Sequence, residues 1–246
     1  MIDEGLSGRF RTALSCVTLF QDFVVSLRLK THIIMIKAVF FDFDGTLADT
    51  TAGILATFKA TLRELGLPEV SGEEVIRTIG LPLSGNFRVA CGLEGERNEL
   101  ACSTYRRLFP EVGTSRIVLY DGVMDALETL KDRGFVLAVA SSRHLKSLLS
   151  LSEMLGIRHF FSEIYGVDCS PRPKPAPDTV LGLLDVLGLK AEETLVVGDT
   201  VFDLQMGHAA GCRVCGVTYG NQQREQLATE SPEFIVDNLR NIPHII

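Results

Sequence analysis

The chain has 246 residues, of which 46% are hydrophobic and 22% are charged. These values are ordinary for a globular protein with one large domain, or with one domain that carries a modest insert. The formal net charge of −7 argues against a nucleic-acid partner, because such partners usually require a basic face. The six cysteines are scattered and lack the spacing of a disulfide framework, which predicts a reducing cytoplasm as the location.

Residues 1–34 are predicted to be an N-terminal extension of the folded domain. Arg9 and Arg11 precede an apolar run that is too short to span a bilayer and that lacks a clean cleavage site. Met35 begins a run that is typical of a domain opening on a strand. We therefore expect Met35 to be the functional initiator, with a docking or membrane-surface segment as the alternative.

Beyond Met35, short apolar runs alternate with segments of helical spacing. Runs of this kind are typical of strands buried on both faces of a parallel sheet, and the alternation predicts βαβ units and an α/β fold. The later helical segments each end at a glycine, which is the expected stop. The predicted strands are 36–41, 135–140, 194–198 and 213–217, with weaker candidates at 164–167 and 234–236, and the predicted helices are 123–134, 145–156, 181–188 and a segment from just after Asp199 to Gly211.

One stretch breaks this alternation, and we call it the helical insert (residues 50–114). It contains no convincing strand but shows helical spacing over 51–65, 72–79 and about 96–109. The predicted domains are therefore a core, made of residues 35–49 and 115–246, and a helical cap on two connections that can open and close over a site. The loop predicted near 80–86 gives no indication of the substrate.

Polar side chains follow the predicted strands, at the edge where ligands bind in open α/β sheets. The convergence of several such positions is more informative than any one of them, since aspartate and serine often cap helices. The candidate site residues are Asp42 and Asp44 after the first strand, Ser141 and Ser142 after the second, Lys174 shortly after the weaker candidate at 164–167, and Asp199 and Asp203 after the strand at 194–198.

The charges of these candidates predict a metal-dependent reaction of a phosphoryl group. Several carboxylates in one crevice repel each other unless a counter-ion is present, and Mg²⁺ is the simplest such ion. Lys174 adds positive charge and the serine hydroxyls add hydrogen-bond donors, which suits a phosphoryl group in transfer. Because Asp42 and Asp44 are two residues apart and Gly45 permits a sharp turn, one carboxylate can attack while the other handles protons.

From about Met35 to its C-terminus, the chain resembles the haloacid dehalogenase superfamily of phosphohydrolases. The segment FDFDGTLADT (41–50) resembles the first motif, Ser141 the second, Lys174 the third, and GDTVFD (198–203) the fourth. The resemblance implies a three-layer Rossmann-like core with a parallel sheet in strand order 5-4-1-2-3. It also implies that the helical insert is a C1-type cap.

The resemblance further implies a role for each site residue. Asp42 would attack phosphorus and form an aspartyl-phosphate, and Asp44 would protonate the leaving oxygen and then activate water. Mg²⁺ would be held by the Asp42 carboxylate, the Asp44 backbone carbonyl and Asp199. The remaining residues are Asp203, which would act through water or orient its neighbours, and Ser141, Ser142 and Lys174, which would hold the phosphoryl oxygens.

Within the superfamily, the segments 78–83, 172–178 and 216–227 are similar to phosphoglycolate phosphatase-like enzymes. Asp44 favours phosphate ester chemistry, because the dehalogenases and phosphonate hydrolases of the superfamily lack the matching aspartate. The expected partner is a small phosphorylated metabolite, with no nucleic acid or membrane, and the expected state is a monomer or homodimer. The alternatives are a β-phosphoglucomutase-like sugar-phosphate mutase, a pyrophosphatase, and a binding module without activity.

Other notable residues are interpreted as structural. Cys212 and Cys215 form a CxxC, but no second pair completes a zinc site, so we expect two core residues. Ser142, Arg143 and Asp121 depart from the phosphoglycolate phosphatase pattern and leave the reaction type unchanged. Surface positions are predicted for Lys59, Arg77, Arg88 and Arg143, and a helix start is predicted for His144.

Overall fold

In a computed structural model that describes residues 35–246, strands and helices alternate along most of the chain. The prediction about residues 1–34 lies outside the described residues. The strands are β1 (Ala38–Phe41), β2 (Ala48–Asp49), β3 (Val118–Leu119), β4 (Val136–Ala140), β5 (Glu163–Tyr165), β6 (Thr194–Gly198), β7 (Arg213–Val217) and β8 (Phe234–Val236). The helices are α1 (Thr51–Glu64), α2 (Gly72–Ile76), α3 (Leu83–Cys91), α4 (Gly95–Val112), α5 (Val123–Asp132), α6 (Leu145–Met154), α7 (Asp178–Leu187), α8 (Val201–Ala209), α9 (Arg224–Ala228) and α10 (Ile242–Ile245).

The central sheet has the order β5-β4-β1-β6-β7-β8, and all of its pairs are parallel. If its strands are counted along the chain, the order is 3-2-1-4-5-6. The predicted order 5-4-1-2-3 is therefore confirmed for five strands, and β8 adds a sixth strand beyond β7. The six strands of the central sheet coincide with the predicted runs to within two residues at their ends, whereas the sequence does not predict β2 and β3.

Alternate residues of β1 pack into two separate hydrophobic clusters, because successive side chains of a strand point to opposite faces. Val39 and Phe41 belong to the cluster that includes side chains of α5 and α6. Ala38 and Phe40 belong to the cluster that includes side chains of α7 and α8. Helices therefore cover both faces of the sheet, which confirms the predicted three-layer α/β fold. Full burial of each phenylalanine contributes about 1.5–3 kcal/mol to folding.

Helices α1 to α4 lie between β2 and β3, which pair as a short antiparallel ribbon. The two connections of the helical insert therefore run side by side. The insert has its own aromatic cluster: the rings of Phe58 and Phe87 stack with centroids 4.2 Å apart, and Tyr105 and Phe109 stack at 5.7 Å. The division of the chain into a core and a cap stays a prediction.

The prediction of a loop near 80–86 is wrong for its second half, because α3 begins at Leu83. Local sequence does not favour a helix there, since Ser84, Gly85 and Asn86 have low helix propensity. The full burial of Phe87 in the aromatic cluster stabilises α3. The second predicted helix is shorter than expected and ends at Ile76, and the third extends to Val112, past Pro110.

Within residues 35–246, no helix has both the length and the apolar character required to cross a membrane.

Candidate active site

The carboxyl ends of β1, β4 and β6 place three predicted residues at one edge of the sheet. Phe41 is in register with Val139 of β4 and Val197 of β6, so Asp42, Ser141 and Asp199 follow neighbouring strands. The Asp42 N–H donates to the Val197 carbonyl at 2.9 Å, which continues the ladder by one bond. All three side chains are buried.

Lys174 lies between two of the aspartates. Its Nζ atom is 2.6 Å from Asp42 Oδ1 and 2.5 Å from Asp203 Oδ1, and only 4% of the residue is exposed. A buried ammonium is stable only when charged partners replace its lost hydration. Lys174 thus joins the loop after β5 to the residues that follow β1 and β6.

Neighbouring groups that the sequence interpretation did not include fix the orientations of Asp199 and Asp203. Asp199 Oδ1 accepts from Thr46 Oγ1 at 3.1 Å, and its Oδ2 accepts from Asn221 N at 2.7 Å and Asn221 Nδ2 at 2.8 Å. Asp203 Oδ2 accepts from the backbone N–H and the hydroxyl of Thr200 at 3.0 and 2.7 Å. The sequence carries a signal for one of these contacts, because threonine three residues before an acid at a helix start is typical of a capping box.

Asp42, Asp199 and Asp203 have the donor set of a divalent cation site. Each offers a carboxylate oxygen, and the three oxygens lie within 4.8 Å of one another. Carboxylate oxygens are hard ligands of the kind that Mg²⁺ prefers, so the residues fit the ion. Gly45 allows this close packing, because at its φ of 90° a Cβ atom would lie 2.2 Å from Asp199 Oδ2.

Burial and mutual repulsion control the protonation of this cluster. Burial raises the pKa of Asp42 to about 8; Asp203 and Asp199 add to the rise, and Lys174 opposes it. Burial and the charge of Asp203 raise the pKa of Asp199 to about 7. Burial alone would lower the pKa of Lys174, but Asp203 and Asp42 raise it above its ordinary value. Without a further cation, the carboxylates of this cluster are therefore costly to keep ionised.

Asp44 is not one of the three carboxylates of this cluster, and its side chain pairs with Arg143. The Arg143 Nη2 atom donates to Asp44 Oδ1 at 2.7 Å, and its Nε donates to Oδ2 at 3.0 Å. The guanidinium also lies over the ring of Phe109 at 4.5 Å. Only 9% of the Arg143 side chain is exposed, so the predicted surface position is wrong. The physical reason is that a carboxylate and an aromatic ring together replace water around the guanidinium.

The other structural interpretations agree with the described residues. Lys59, Arg77 and Arg88 are mostly exposed and pair with glutamates on the surface. His144 precedes α6 as its N-cap residue, and its Nδ1 lies 3.1 Å from Asp168 Oδ2.

Cys212 and Cys215 are buried and unbridged. Burial raises the pKa of each thiol to about 12, which makes both poor nucleophiles at neutral pH. The interpretation of this CxxC as two core residues is confirmed.

A cavity of about 630 Å³ lies between the core and the helical insert. The Ser142 hydroxyl, predicted to bind phosphate, donates to the Gly80 carbonyl of the insert at 2.7 Å. Lys174, Asp199 and Asp203 are not among the lining residues. The core contributes Asp42, Asp44, Ser141, Ser142 and Arg143 to the lining, and the insert contributes Ile79, Leu81, Asn86, Tyr105 and Phe109 among others.

The fold and the site define an α/β enzyme whose polar groups converge at the carboxyl edge of a parallel sheet. Residues 39–217 match the family model described as Haloacid dehalogenase-like hydrolase. The chain belongs to this family, which confirms the family resemblance and the prediction of a hydrolase.

Curated relatives of this chain carry the names of different phosphatases. It is 37% identical to the Probable phosphatase IndB of Dickeya dadantii, over 83% of this chain and 90% of the relative. It is 31% identical to the Phosphoglycolate phosphatase of Vibrio cholerae, over 86% of this chain and 97% of the relative. It is 30% identical to the Pyrophosphatase PpaX of Bacillus pumilus, over 86% of this chain and 96% of the relative.

The fold is also similar to solved structures of the family. A haloacid dehalogenase-like family hydrolase from Streptococcus pneumoniae superposes with a TM-score of 0.76 and is 29% identical, over 84% of this chain and 96% of that protein. The high coverage of both chains shows that the sheet and the helical insert occur together in the relative.

Proposed function

We propose that this chain is a Mg²⁺-dependent phosphatase that hydrolyses a small phosphomonoester through an aspartyl-phosphate at Asp42. The observation that carries the proposal is the position of Asp42. It lines the cavity and bonds to Lys174, and Asp44 lines the same cavity two residues away. Membership of a hydrolase family whose relatives are named phosphatases supports the same chemistry.

The proposed reaction has two steps at phosphorus. In the first, an Asp42 carboxylate oxygen bonds to phosphorus, the bond to the leaving oxygen breaks, and Asp44 gives that oxygen a proton. In the second, Asp44 takes a proton from water, the water oxygen bonds to phosphorus, and inorganic phosphate leaves Asp42. Ser141 and Lys174 hold the phosphoryl oxygens during both steps.

The acidic cluster is the proposed place of Mg²⁺. The Asp42 and Asp199 carboxylates and the Asp44 backbone carbonyl would hold the ion, with Asp203 acting through water. When bound, the ion neutralises charge on the transferring phosphoryl group. The helical insert is the proposed cap, and it excludes water from the cavity in which the ester binds.

Metal-free protein is expected to lose stability as pH rises from about 4 to about 8. The pKa of Asp42 is raised to about 8 and that of Asp199 to about 7, from an ordinary value of 3.8. In this range the folded protein binds more protons than the unfolded chain, so the free energy of unfolding falls as pH rises. Thermal unfolding at several pH values, in EDTA and in Mg²⁺, measures how Tm changes with pH. Mg²⁺ should flatten this dependence, and a metal-free Tm that rises with pH would contradict the prediction.

Two classes of phosphorylated substrate are supported by similar relatives. A phosphoglycolate phosphatase and a pyrophosphatase are almost equally identical to this chain, at 31% and 30%. We therefore propose a small phosphorylated metabolite of the phosphoglycolate or sugar-phosphate type, with pyrophosphate as the second candidate. A cytoplasmic location and a monomeric or homodimeric state stay predictions.

A phosphate-release screen with Mg²⁺ tests this proposal. Its substrates are 2-phosphoglycolate, hexose phosphates, nucleotides and pyrophosphate. We expect release from at least one monoester, loss of release in EDTA, and a decrease of about 10²–10⁴-fold in the Asp44→Asn variant. Conversion of a hexose 1-phosphate to its 6-phosphate without free phosphate would support the mutase instead, and no turnover of any compound would contradict the proposal.

A further inference from the structure

Arg143 connects the side chain of Asp44 to the helical insert. Its Nε and Nη2 atoms donate to Asp44, and its Nη1 donates to the Ser147 hydroxyl of α6 at 3.2 Å. Its guanidinium lies over Phe109, which belongs to α4 of the insert. One side chain thus contacts the core, a core helix and the insert.

The contact fixes the orientation of the Asp44 carboxylate. Arginine presents its N–H donors in a rigid planar fork, so a bidentate pair sets the plane of the carboxylate as well as its distance. Among the residues that the structure describes, Arg143 is the one side chain that donates hydrogen bonds to the Asp44 carboxylate. Asp44 and Arg143 are 15% and 9% exposed, so water competes little for these bonds.

The orientation depends in turn on the helical insert. Phe109 of the insert covers one face of the Arg143 guanidinium. Ser142, the residue before Arg143, donates a hydrogen bond to the Gly80 carbonyl of the insert. Displacement of the insert would remove both contacts and expose the ion pair. A hydrated guanidinium has many rotamers and holds a carboxylate poorly, because exposed ion pairs contribute little.

We infer that Arg143 is a positioning residue that orients Asp44 for proton transfer when the helical insert covers the site. Each of its three side-chain nitrogens already donates to Asp44 or Ser147, so it acts through Asp44 rather than on the phosphoryl group. This assigns a role to a residue at which the chain departs from the phosphoglycolate phosphatase pattern. The inference rests on the proposed function, in which Asp44 protonates the leaving oxygen.

Leaving groups that differ in their need for a proton test this inference. An alkyl phosphate requires protonation of its leaving oxygen, whereas p-nitrophenyl phosphate releases a stable anion without it. For the Arg143→Gln variant we expect kcat/KM to fall about 10²-fold with the alkyl ester and less than about 3-fold with the aryl ester. Arg143→Lys keeps the charge but not the fork, and should show a smaller loss of the same pattern.

Matched controls separate positioning from a general structural effect. Arg88→Gln makes the same change at an exposed ion pair of the insert and should leave both esters unaffected. Phe109→Leu removes the ring beneath the guanidinium and should reproduce part of the leaving-group pattern. Asp44→Asn should lower kcat/KM strongly with the alkyl ester and little with the aryl ester. Adding Arg143→Gln to Asp44→Asn should lower kcat/KM little further, because both substitutions remove the same proton transfer.

Two results would overturn the inference: equal losses for both esters in Arg143→Gln, or no loss for either, in a variant whose thermal unfolding matches that of the wild type. Failure of the proposed function is a different result, because the wild-type protein would then release no phosphate from either ester.

Discussion

Replacing Asp42 by asparagine is expected to lower kcat for phosphate release by at least about 10⁴-fold, because the amide cannot act as the nucleophile. Asparagine has nearly the same shape, and its amide oxygen can still accept the hydrogen bond from Lys174. The loss should therefore appear without a loss of folding. Phosphate release with saturating Mg²⁺ measures the effect.

The same variant should be at least as stable as the wild type when metal is absent. Asp42 is 4% exposed, and its pKa is raised to about 8 by burial and by the neighbouring carboxylates. Above about pH 8, where Asp42 is ionised, the substitution removes a charge and relieves part of the repulsion within the cluster. Urea unfolding in EDTA measures the change, and the stabilisation by Mg²⁺ should be smaller in the variant than in the wild type.

Asp125→Asn is the matched control for this experiment. Asp125 lies on α5, is exposed and pairs with Arg240. It does not line the cavity, so the substitution should change neither kcat nor Mg²⁺ dependence. A wild-type rate in Asp42→Asn would contradict the assignment of the nucleophile. Loss of both activity and folding would show instead that Asp42 is needed for structure.

The central sheet could be predicted from sequence because its strands are almost uniformly apolar. Phe40 and Phe41 are fully buried on opposite faces, and only a strand covered on both sides requires such a run. The same logic located the site. Parallel strands end at one edge, so residues that follow β1, β4 and β6 had to lie together.

Contacts between distant segments could not be predicted in this way. Helix α3 begins with residues of low helix propensity, and the packing of Phe87 against Phe58 overrides that preference. An arginine is expected at the surface, and only the contacts with Asp44 and Phe109 explain why Arg143 is buried. Asn221 reaches Asp199 from the loop after β7, at a separation of 22 residues that no local pattern encodes.

Lys174→Met is expected to destabilise the metal-free protein by about 3–5 kcal/mol above about pH 8, where Asp42 and Asp199 are ionised, because it leaves these buried carboxylates without their counter-charge. Lys174 is the direct partner of both Asp42 and Asp203, and methionine keeps much of its volume. Urea unfolding in EDTA measures the loss. Lys59→Met, at an exposed pair with Glu69, should change the free energy of unfolding by less than about 0.5 kcal/mol.

The origin of this loss can be separated from a packing defect. If uncompensated charge is the cause, the penalty should shrink as pH falls below the raised pKa of Asp42, because the carboxylate then takes up a proton. Adding Asp203→Asn to Lys174→Met should also restore part of the stability, since one unpaired charge is removed. A penalty that is independent of pH and is not reduced by Asp203→Asn would indicate a cavity at position 174 rather than lost electrostatic compensation.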